Sequence, residues 1–146
     1  MQKTLFILAV IFSIAAIAQQ PQRPSQPPVR SMTAALPLNI YKTLRDSCTQ
    51  LDIVFITGKG GSMSMDNHNS IRGFTSFVTT KPVDKVPNAP QDGTIMWQID
   101  GRAFLMGNLY LTGDSSGYLV FDKDNKEYIN AISPDGAGFL KTRGGR

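Results

Sequence analysis

The feature that most constrains the fold of this chain is the close spacing of β-rich runs in its last third. Runs at 94–99, 102–112, 118–122, 127–132 and 137–141 follow one another with only turn residues between them. A parallel connection needs a crossover of a dozen or more residues, so neighbours this close pair as an antiparallel meander. Asp100-Gly101 is the residue pair that two-residue hairpin turns select, because both central positions take positive φ. Lys123-Asp124-Asn125-Lys126 and Pro134-Asp135-Gly136 punctuate the later runs. Within 118–122, alternation puts Tyr118, Val120 and Asp122 on one face and Leu119 and Phe121 on the other.

The residues before the meander read differently. Leu38, Tyr41, Leu44, Cys48 and Leu51 recur at spacings of three and four, which predicts a helix over 38–50 starting after Pro37. Residues 51–56 are β-rich and apolar except Asp52, the pattern of a central strand covered on both faces. Gly58, Gly60 and Gly61 break that run. Ile71, Phe74, Phe77 and Val78 predict a second helix over 68–79, with Asp66 or Asn67 as its N-cap. Residues 81–93 carry Pro82, Pro87, Pro90 and Gly93 and read as a surface connection. The expected fold is α+β: two short helices flanking a buried strand, then an antiparallel β-meander of four to five strands.

The ends carry different information. Lys3, an apolar run from Leu5 and the small residues of Ala16-Ile17-Ala18 form the pattern of a signal peptide over 1–18. The run is too short to span a hydrocarbon core, which needs about 20 residues. The expectation is a protein exported through an inner membrane to the periplasm or beyond, not membrane-spanning after cleavage. Residues 19–37 hold five of the nine prolines and read as a proline- and glutamine-rich linker. A single domain over 38–142 and a basic tail over 143–146 complete the expected organisation. The formal charge is +4, yet residues 38–139 hold nine basic and eleven acidic residues, a net of −2. The positive charge sits in the ends, so the domain lacks the clustered basic face that a nucleic-acid partner requires.

Cys48 is the only cysteine, which excludes an intramolecular disulfide, and its apolar neighbours predict a buried thiol. Asp52 to Ser64 resembles the first strand and metal loop of von Willebrand factor A domains, a hydrophobic strand followed by D-x-S-x-S and a helix. The resemblance implies an adhesion module whose loop holds a divalent metal. Its loop positions fall on Gly58, Gly60 and Ser62, of which only Ser62 keeps the family's residue type. A glycine loop offers a hard cation no carboxylate oxygen. The same glycines lack the Gly-Lys-Ser/Thr ending of a phosphate-binding loop. Residues 122–127 read as a solvated hairpin turn, because Lys126 stands where a calcium ligand is needed.

His68 is the only histidine. A small hydrolase would have to set it beside Ser62, Ser64 or Cys48, because a base must touch its nucleophile. No metal site and no cofactor is implied. The aromatic residues form the alternative resource, with Trp97, Tyr110, Tyr118 and Tyr128 as candidates for an open sheet face that binds a protein or a glycan. The leading expectation is an interaction or ligand-binding module of a bacterial envelope. The hydrolase and the degenerate von Willebrand factor A-like module stand behind it.

Overall fold

In a computed structural model, which describes residues 34–83 and 88–144, the chain forms one antiparallel sheet with three helices. The expected signal peptide and most of the expected linker lie outside the described residues. The elements run α1 (Leu38–Asp46), β1 (Gln50–Phe55), β2 (Gly61–Met65), α2 (His68–Thr75) and β3 (Val78–Pro82). They continue as β4 (Gly93–Ile99), β5 (Arg102–Thr112), β6 (Ser116–Lys123), β7 (Lys126–Ile132) and α3 (Pro134–Gly144). The sheet has seven strands in the order β2-β1-β4-β5-β6-β7-β3, every neighbouring pair antiparallel.

The meander follows the local chemistry of its turns. Asp100 at φ 48° and Gly101 at φ 75° place the β4–β5 turn in the left-handed region. Asp124 and Asn125, at φ 53° and 60°, do the same for β6–β7, using the two side chains that best tolerate it. The sheet extends beyond the meander at both ends, because β1 joins β4 and β3 joins β7.

Five departures from the sequence expectation have identifiable causes. Helix α1 stops at Asp46, so Cys48 lies in the connection to β1 and Leu51 in β1, and the apolar spacing spans two elements. Helix α2 stops at Thr75 and Val78–Pro82 forms β3, not the end of a helix over 68–79 and a surface connection, because Val78 pairs with Ile132 of β7. Strand β1 is covered on one face only, with Val54 48% exposed and Ile56, just past its end, 60%. The glycine turn is the tip of a β1–β2 hairpin rather than a loop leading into a helix, which places Ser62 and Ser64 on β2. Finally, 137–141 belongs to a helix, not to a fifth meander strand.

Helix α3 begins as helices commonly do. Ser133 accepts from the Gly136 amide through Oγ at 3.2 Å and from the Ala137 amide through its carbonyl at 2.9 Å. Pro134 occupies the first helical position and Asp135 the first turn. Gly136 is required by packing: a Cβ there would stand 2.5 Å from the Cβ of Phe77. In α2 the expected cap is Asn67, whose side chain accepts from the Asn69 and Ser70 amides at 2.9 and 3.3 Å.

The helices share one face of the sheet. Leu51, Ile53, Ile95, Trp97, Leu109, Leu119 and Phe121 point to that face and meet Leu44, Ile71, Phe74, Ala137 and Leu140. Full burial of each large side chain stabilises the fold by roughly 1.5–3 kcal/mol, so this layer dominates stability. Among the described residues, no helix is long and apolar enough to cross a membrane.

Candidate functional site

Two surfaces stand out once the core is assigned: the sheet face opposite the helices, and a cleft at the β2 edge. On the opposite face the strands present Asp52 and Val54, Thr94 and Met96, Met106 and Asn108, as the cross-strand register requires. Toward β6 and β7 this face is closed, since Tyr118 and Ile129 are buried. Toward β1 and β5 it is open, with Val54 48% and Met106 51% exposed.

Asp52 organises the polar part of that face. Ser64 Oγ donates to its Oδ1 at 2.5 Å and Gln50 Nε2 to both oxygens at 3.0 Å, while Gln98 Nε2 donates to Oδ2. Desolvation pushes the carboxyl up, but hydrogen bonds from Ser64, Gln50 and Gln98 outweigh it and hold the group below its ordinary value. Gln91 bridges neighbouring strands, donating to Asn108 Oδ1 at 3.1 Å and to Thr94 Oγ1 at 3.3 Å.

The cleft is built from three elements. Met63 and Met65 of β2, Ser70, Gly73 and Phe74 of α2, Phe77 beyond it, and Phe139 and Arg143 of α3 enclose about 340 Å³. Phe74, Phe77 and Phe139 form a triangle with ring centroids 6.0–6.3 Å apart. The Arg143 guanidinium lies 5.6 Å from the Phe139 ring centroid.

The residues nominated from sequence are scattered. Trp97 is fully buried, its indole N–H donating to Thr75 Oγ1 at 3.1 Å. Tyr128 is half-buried on the helix side, and Tyr118 stacks on Tyr110 at 4.8 Å on the opposite face. Cys48 is buried, and desolvation pushes its thiol up to about 11. His68 opens α2, with Nε2 3.3 Å from the Asp46 carbonyl oxygen. Ser64 is engaged with Asp52, and Ser62 is exposed on β2. Among the described residues no hydrogen bond joins His68 to Cys48, Ser62 or Ser64. Nor does any group of three or more His, Cys, Asp or Glu side chains among them come together to hold a metal.

Sequence reasoning missed the cleft and the Asp52 network for the same reason. Both depend on β2, and Asp52 meets Gln98 across 46 positions of sequence. The available signal was the alternation of Ser62 and Ser64 with Met63 and Met65, which has the period of a strand. Comparison with protein-family models, with curated proteins and with solved structures gave no match.

Proposed function

We propose that the chain is an exported binding module of a bacterial envelope, held on a proline-rich linker, that meets a protein partner through the open part of its sheet. The observation that carries this reading is the one-sided helix layer. It leaves Val54 and Met106 about half exposed on the same face as the Asp52 network. An apolar contact surface edged by fixed polar groups is the usual composition of a protein interface. The export pattern at 1–18 supports an envelope destination.

A photo-crosslinking side chain placed at Met106 or Val54 tests it in living cells. One discrete protein adduct is expected at both positions and not at Thr142, which is exposed on α3. A Met106→Glu change should also abolish the adduct formed from position 54. No adduct at Met106 or Val54 above the Thr142 background overturns the reading.

A further inference from the structure

We propose that the cleft between β2, α2 and α3 receives the carboxyl-terminal end of an extended peptide, which adds to β2 as a further strand. This is a second site, separate from the open sheet face.

Four observations converge on that occupant. First, β2 ends the strand order, so its outer backbone N–H and C=O groups face away from β1 with no further strand beside them among the described residues. Natural edge strands are commonly blunted by lysine, proline or a bulge. Gly61-Ser62-Met63-Ser64-Met65 carries neither lysine nor proline and pairs with β1 in unbroken register. Second, Met63 and Met65 are paired with Ile53 and Leu51, so they point to the helix side. An added strand would send every second side chain to that same side, where the cleft lies.

Third, the cleft has the chemistry of an apolar side-chain pocket. Its walls are methionine thioethers and phenyl rings, and its volume of about 340 Å³ suits one or two apolar side chains. Gly73 adds room, since a Cβ built there meets nothing within 4 Å. Fourth, the cleft carries a positive charge at one end. The Lys59 amide donates to the Gly144 carbonyl at 3.3 Å, tying the end of α3 to the β1–β2 turn. Arg143 stands at that end and makes no ion pair among the described residues. A peptide that runs along β2 and ends there meets a guanidinium positioned for its terminal carboxylate.

The test uses the protein purified after export. Random heptapeptides displayed with free carboxyl termini are panned against it, and the enriched sequence is synthesised as free acid and as amide. The enriched peptides should end in an apolar residue, and amidation should weaken binding about tenfold or more, as loss of a charged hydrogen bond does. Arg143→Gln should bring the free acid to the level of the amide. Gly73→Leu, which occupies the cleft without backbone strain, should abolish binding while the protein still melts cooperatively. Bound peptide should slow amide exchange in residues 61–65. The proposal is overturned if no sequence enriches, if acid and amide bind alike, or if Gly73→Leu binds normally. It is also overturned if the protein alone sediments as a dimer that Ser62→Lys disperses, since β2 would then pair with a second copy.

Discussion

The two edges of the sheet are built on opposite principles. At the β3 edge, the strand ends in Lys81 and Pro82, a charge and a residue that cannot donate to a ladder. Behind it Asn130 is fully buried, accepting from the Leu36 amide at 3.0 Å and donating to the Thr79 carbonyl at 2.7 Å. Ala34 completes the closure, its carbonyl accepting from the Ile129 amide at 2.9 Å. At the β2 edge no charge and no proline interrupts the strand, and the side-chain tie from Ser64 to Asp52 lies on the open face. A buried polar knot holds one edge shut, whereas a wet one leaves the other free to accept a chain.

Breaking the closed edge should have the largest effect. Asn130→Ala strips a partner from the buried Leu36 amide and from the Thr79 carbonyl together. Leaving a buried polar group unsatisfied costs about 1–3 kcal/mol, so a loss of about 3 kcal/mol is expected in urea unfolding. The Ile129 amide should also exchange faster, as residues 34–36 and β3 both lose their anchor. A loss below about 1 kcal/mol would mean that the β3 edge is no more secured than the β2 edge.

The wet knot should matter less, and its contribution should vanish in acid. Asp52 is held below its ordinary value near 3.9 after desolvation is offset by its three donors. A depressed carboxyl stabilises the fold above its unfolded value, and that contribution fades as pH falls through the folded one. Asp52→Asn should therefore cost about 1 kcal/mol or less at pH 7, with the difference from the native chain shrinking below about pH 4. Unfolding curves at pH 7 and pH 3 check the sign. A variant equally destabilised at both pH values would place the Asp52 contribution in packing, not in its charge.

The same contrast explains what the sequence disclosed. The meander was legible because its information is local: closely spaced runs and turns such as Asp100-Gly101, whose φ values leave few alternatives. The Asn67 cap was legible on the same ground, since it acts over three residues. The outer strands were not. Met63 and Met65 alternate with serines as strand residues should, but three preceding glycines suggested a loop, and only pairing with β1 makes the segment a strand. Helix α3 carried a start signal in Ser133-Pro134-Asp135, which the glycines at 136 and 138 obscured. The cleft draws on β2 and α3, two of the elements that local patterns misassigned, so its arrangement became visible only with the tertiary fold.

The smallest effect on stability should come from the change that most sharpens the contrast. Ser62→Lys gives β2 the defence that Lys81 gives β3, at a position that is exposed and makes no side-chain hydrogen bond among the described residues. Such surface changes usually stay within about 0.5 kcal/mol, so the melting temperature should hardly move. Lysine disfavours strand addition because any incoming backbone must desolvate its ammonium group. Peptide binding at the β2 cleft should fall. Because Ser62 is paired with Val54 and stands on the open face, crosslinking from Met106 should fall with it if the partner reaches β2. If peptide binding stayed at the native level, the peptide would not pair with the β2 backbone, and the two edges would differ in sequence but not in what they accept.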